Sequence, residues 1–165
     1  MRRLPLLLLV ALLIAAAAIL FATADSLPLR VASSFNFAGG VGGFMPRSAY
    51  VVFMAAVTFG APGIILLACA VLPRLAPGLV NIPSRDYWLA PERRGETYAV
   101  LAASGALLAC LVTGFLIALH LLVLEANTRA PPRLDSGILW TLIAVLVVSV
   151  LAGQFFYWRR FRHPG

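Results

Sequence analysis

Four long uncharged apolar runs constrain this chain more than any other feature: Leu4 to Ala24, Tyr50 to Leu72, Tyr98 to Leu124, and Gly137 to Trp158. Each exceeds the roughly 20 residues that a helix rising 1.5 Å per residue needs to cross about 30 Å of hydrocarbon. Together they fill more than half the chain and leave no room for a soluble catalytic domain. The runs are continuous and rich in Leu, Ala and Val, without the alternation of lipid-facing barrel strands. The expected fold is therefore an all-α integral membrane protein, a four-transmembrane-helix bundle. Residues 1–165 make a single membrane domain with spans near 4–24, 50–72, 98–124 and 137–158, an outer loop at 25–49 and a cytoplasmic loop at 73–97. Composition agrees: 62% of residues are hydrophobic and 12% charged, against about 45 to 50% apolar in a soluble domain.

Every basic side chain is arginine, and the arginines set the expected orientation. Arg2, Arg3, Arg74, Arg85, Arg93, Arg94, Arg159, Arg160 and Arg162 fall on one side of the four spans. Arg30, Arg47, Arg129 and Arg133 fall on the other. The positive-inside bias then puts both termini and the 73–97 loop in the cytoplasm. Tyr98, Phe155 to Trp158, Tyr50 and Trp140 sit at span ends, where aromatic anchors are expected. A net charge of +7 distributed this way reads as topology and contact with anionic lipid, not as nucleic-acid binding. Met1-Arg2-Arg3, the first apolar run and Ala22-Thr23-Ala24 also have the layout of a secretory signal. The run is longer than the usual 7 to 15 residues of such signals, so a retained helix is expected.

Inside the spans, Ala102, Ala106, Cys110, Gly114 and Ala118 recur every four residues. Such a small-residue row lets two helices approach closely, within the bundle or across a homo-oligomer. Cys69 and Cys110 have no CxxC or histidine-spaced partner, and no metal or cofactor site is expected. Pro62, in Gly60-Ala61-Pro62-Gly63, is expected to kink the second span. Thr113, His120 and Asn127 are spaced by seven and lie on one helical face. His120 and Asn127 then form either a structural tie between helix and loop or a ligand site at the outer face. Gln154 is expected to bond between helices.

Two loops carry the rest. In the outer one, Gly39, Gly40, Gly42 and Gly43 permit a tight reversal, consistent with a short β-hairpin or a compact cap; without a following Lys-Ser/Thr they do not form a phosphate cradle. In the inner one, Val80 to Arg94 reads VNIPSRDYWLAPERR. Pro83 ends a helix, Tyr87 and Trp88 suit the headgroup zone, and Pro91 suits the first turn of the next helix. Glu92 and Glu96 would lie near that helix's positive end, and Arg85/Asp86 and Glu92/Arg93 are expected ion pairs. Capping does not require this density of residue types, so Asn81, Arg85, Asp86, Tyr87, Trp88, Glu92 and Arg93 are candidate contacts for a partner.

The segment Asn81-Ile82-Pro83-Ser84-Arg85-Asp86-Tyr87-Trp88-Leu89-Ala90-Pro91-Glu92-Arg93-Arg94 resembles the N-x-P-[NS]-[KR]-D-Y-W-L-A-P-E-R-R stretch of a family of small bacterial membrane proteins of unknown function. These are related to the toxin-immunity and signal-transduction membrane proteins of some Gram-positive bacteria. Leu27-Pro28, Val31-Ala32, Phe35-Asn36, Gly39 and Gly43-Phe44-Met45 are similar to that family's outer-loop pattern. His120, Asn127, Pro132 and Leu134 match its His and Asn before a Pro-Leu. Ser34 stands where the family usually has His, Val41 replaces Pro, Gly42 replaces Asp and Phe44 replaces Trp. The resemblance implies a noncatalytic sensor, immunity or partner-binding protein, with a cytoplasmic partner docked on the 73–97 loop. A small transporter or channel subunit is the alternative. A membrane-interface enzyme using Arg85, Asp86, Glu92 and Arg93 is the third, and no catalytic motif supports it.

Overall fold

The computed structural model describes residues 4–162; the expectations placed on Arg2 and Arg3 lie outside them. Helix α1 spans Leu4–Thr23, and a 3-10 turn, Ala24–Ser26, leads from it to strands β1 (Arg30–Phe35) and β2 (Val41–Pro46). Helix α2 (Arg47–Leu66) runs through a π-turn at Leu67–Val71 into α3 (Leu72–Leu75). A 3-10 turn at Pro77–Leu79 and the one-turn helix α4 (Arg85–Trp88) follow, then α5 (Arg94–Ala126) and α6 (Ser136–Arg162). Four stretches are long and apolar enough to cross a membrane: Leu4–Ser26, Arg47–Leu75, Arg94–Ala126 and Ser136–Arg162. The last three overrun the apolar runs at both ends, because residues such as Arg47, Arg94 and Arg162 continue the helical hydrogen bonding where hydropathy has already fallen.

Helix α5 is the axis of the bundle. It packs against α1, α2 and α6 and buries positions along its whole length, from Thr97 to Ala126. Helix α6 buries only Phe161. Helix association in lipid relies on close packing more than on apolar transfer, and α5 makes such an approach at Gly105. A Cβ there would stand 2.3 Å from the Cys69 Cβ, so the π-turn of the second span and α5 meet at a distance only glycine allows.

The small-residue row divides. Ala106 and Cys110 are buried, with Cys110 packed on Leu9 of α1 and Ala109. Ala102 is half-buried, and Gly114 and Ala118 face a groove between α1, α5 and α6. The approach that only glycine allows, at Gly105 against Cys69, stands one position beside that row. In the second span Pro62 lies buried inside α2, and the helical pattern changes to a π-turn further on, at Leu67–Val71. Gln154 lies exposed on α6 and ties no helices together.

The glycine loop folds into a two-stranded antiparallel hairpin, with Val31 opposite Met45 and Ala32 opposite Phe44. Asn36 builds its turn, its side-chain oxygen accepting the N–H groups of Ala38 and Gly40. Gly39 is needed on two counts: its φ is +82°, and a Cβ would stand 2.1 Å from the Leu134 carbonyl oxygen. The Leu134 N–H donates to Gly39 O at 3.0 Å, so the hairpin tip is tied to the loop between α5 and α6. Below it, Leu20, Leu27, Val31, Tyr50, Met54, Leu122 and Val123 form the largest core cluster. A second cluster at the opposite end joins Val80, Ile82, Leu101 and Phe161.

Candidate functional site

The candidate residues fall at opposite ends of the bundle. At the hairpin end, His120 is buried on α5, 2% exposed, and both ring nitrogens are engaged. Nε2 lies 2.8 Å from the Thr23 hydroxyl of α1, and Nδ1 lies 3.1 Å from the Tyr50 hydroxyl of α2. The Thr23 hydroxyl donates its one proton to Ile19 O at 2.7 Å, so it accepts from His120. For a neutral ring this leaves Nε2 as the donor and Nδ1 as acceptor of the Tyr50 proton. A directed chain runs Tyr50 to His120 to Thr23 to the Ile19 carbonyl. The Tyr50 and His120 rings also stack, 5.8 Å between centroids. Three spans that share little apolar driving force in lipid are thereby fixed in register.

Two helical turns further on, Asn127 pairs with a strand. Its Oδ1 accepts the Ala32 N–H at 2.8 Å, and its Nδ2 donates to Ala32 O at 3.0 Å and Val123 O at 2.8 Å. Each amide hydrogen is used, and the side chain imitates one rung of a neighbouring β-strand. Thr113, on the same face, bonds only to Ala109 O. Of the two readings the sequence left open for His120 and Asn127, this geometry has the features of the tie. Glu125 stands apart, paired with Arg129 at 2.5 Å.

At the opposite end, the Asn81 to Arg94 segment is held by its aromatic residues. Trp88 donates its indole N–H to Phe161 O at 2.9 Å and meets the Phe161 ring edge to face at 5.3 Å. Thr97, in the first turn of α5, donates to Trp88 O at 2.8 Å. Phe161 is 0% exposed, so Trp88 locks the end of α6 to the start of α5. The ion pair between Arg160 and Glu96, 2.8 Å, lies across the same junction.

Two local expectations change here. Helix α5 begins at Arg94, not at Pro91; Pro91 sits in a preceding turn in which Ala90 O accepts from both Arg93 and Arg94. The expected pairs Arg85/Asp86 and Glu92/Arg93 give way to other contacts. Arg85 donates to Gly78 O, and the Arg93 guanidinium lies 4.0 Å from the centre of the Tyr87 ring. Asn81, Arg85, Asp86, Glu92, Arg93 and Arg94 are exposed, whereas Tyr87 and Trp88 are half-buried. The segment is a rigid frame with charges on its outside.

Nothing in the local sequence marks Tyr50 and Thr23 as partners of His120. Tyr50 reads as an interface anchor, although it heads the row Tyr50, Met54, Thr58, Pro62, whose spacing of four marks the buried face of α2. Thr23 reads as part of a cleavage site. Among the described residues no three His, Cys, Asp or Glu side chains converge as metal ligands would, and no buried side-chain nitrogen or oxygen lacks a partner. Comparison with protein-family models, with curated proteins and with solved structures finds no match.

Proposed function

We propose that the chain is a noncatalytic partner-binding membrane protein of the sensor or immunity type, lying in a bacterial inner membrane with the Asn81 to Arg94 segment in the cytoplasm. The contrast between the two ends supports this reading. At the hairpin end Thr23, Tyr50, His120 and Asn127 are spent on one another and on backbone. At the other end Asp86, Glu92 and Arg94 stand exposed on a frame that Trp88 and Phe161 hold in place. A preformed charged surface on a rigid support favours docking, since little order is lost on binding. Orientation rests on the arginines: the Asn81 to Arg94 end carries Arg74, Arg85, Arg93, Arg94, Arg159, Arg160 and Arg162 against Asp86, Glu92 and Glu96.

The transporter reading has less to draw on. The buried polar side chains Thr58, Thr113 and His120 line neither of the two cavities between the helices. Substrate flux through proteoliposomes containing only this protein would revive it.

The docking test uses a photoreactive residue in place of Asp86 or Glu92 in the full chain, expressed in bacterial membranes. The expected product is one defined cytoplasmic protein. Reversing charge at the other of these two positions should abolish the crosslink while membrane insertion is retained. A crosslink indifferent to charge reversal would defeat the proposal.

A further inference from the structure

Phe37, at the hairpin tip, is 84% exposed, and its ring lies over that of Trp140 on α6, with centroids 6.0 Å apart and planes 12° apart. Trp140 is itself 48% exposed. Its neighbours Leu139 and Leu142 pack against the core beneath the hairpin, so the indole lies off that core and continues the lipid-facing surface of α6. The tip is not free to drift away from it. The Leu134 N–H donates to Gly39 O, Gly40 bridges to Arg133, and the Asn36 side chain fixes the reversal that carries Phe37. Phe37 therefore rides on a turn tied to the residues that lead into α6.

The length of α6 sets the depth of this pair. Its 27 residues rise about 40 Å at about 1.5 Å per residue, which exceeds the hydrocarbon core by about 10 Å. Divided between the two ends, the excess leaves about 5 Å, roughly three residues, in each headgroup layer. Trp140 is the fifth residue of α6, so it stands at the edge of the hydrocarbon. A ring stacked on it at 6.0 Å shares that level, because the headgroup layer is itself about 5 to 7 Å thick. Phe37 is exposed to the same medium as Trp140, and that medium is lipid. Aromatic side chains are favoured at this boundary. A soluble partner would have to clear headgroups from both rings before it met them.

We propose that Phe37 and Trp140 form a lipid-interface anchor that seats the hairpin tip in the headgroup layer at its end of the bundle. The anchor lies at the opposite end from the docking segment and does not depend on that reading. It is tested in the full chain, reconstituted in phospholipid nanodiscs, by moving the indole onto the tip. Phe37→Trp combined with Trp140→Phe keeps a stacked pair, and both positions are exposed enough for the exchange to leave thermal unfolding unchanged. Comparison with Trp140→Phe alone isolates the emission of residue 37, since Trp88 and Trp158 are common to both chains. That emission should be lost to phospholipid brominated near the carbonyl end of its chains and largely kept in aqueous acrylamide. Loss to acrylamide with none to brominated lipid would put the tip in water and refute the anchor. Emission kept against both quenchers would mean that protein covers the tip, a second copy included, and would refute it equally.

Discussion

The two ends of the bundle solve the same assembly problem with opposite materials. At the hairpin end, Tyr50, His120, Thr23 and Asn127 join three helices and a strand through hydrogen bonds. At the arginine-rich end, Trp88 joins α4 to Phe161 of α6 by an edge-to-face ring contact and one indole hydrogen bond, and Asp86, Glu92 and Arg94 are left outside. Polar groups inside a bilayer are costly unless paired, so an end built from them uses up what it contains. An end built on aromatic contacts leaves Asp86, Glu92 and Arg94 outside its packing. The lesson is that in a chain of this class the residues that look most chemical are not automatically the ones available for chemistry.

The comparison can be tested by weakening each end in turn. The largest effect is expected from Trp88→Ala, which removes the ring packing and the bond to Phe161 O and should cost about 3 kcal/mol. Its signature is early protease cleavage of the α6 end, while the hairpin end keeps its protection. Next is His120→Leu, which strands the buried Tyr50 hydroxyl at a cost of about 1 to 3 kcal/mol. Adding Tyr50→Phe should recover part of that loss in thermal unfolding, and a strictly additive double variant would dismantle the proposed chain. Asn127→Leu should cost about 1 to 2 kcal/mol and be seen first as faster hydrogen exchange at the Ala32 amide. The smallest effect belongs to Asp86→Asn, within about 0.5 kcal/mol; a larger loss of stability would mean that Asp86 supports the fold and is not held out for a partner.

The four spans were legible because hydropathy integrates over 20 or more residues and tolerates local exceptions. Their ends were less so, since Arg94 or Arg162 can be helical without being apolar. What escaped were contacts made over long separations. His120 was visible as unusual, but its partners Thr23 and Tyr50 lie 97 and 70 residues away, and each reads locally as something else. Asn127 was marked as a second arm, yet it grips the backbone of Ala32, and a backbone has no sequence signature. Trp88 carried the signal of an interface aromatic, while its partner Phe161 lies 73 residues on. The π-turn at Leu67–Val71 has no pattern of its own; only the glycine facing Cys69 hints that two backbones must come close.

The Asn127 rung has a meaning for how copies of this protein coexist. A two-stranded hairpin offers open edges to any extended chain, and exposed edges invite sheets to grow from one molecule to the next. By taking both the N–H and the C=O of Ala32, one amide closes the middle of the β1 edge with a side chain that cannot be extended further. A membrane crowded with identical hairpins is thereby spared a route to aggregation, at the cost of a single residue at the end of α5.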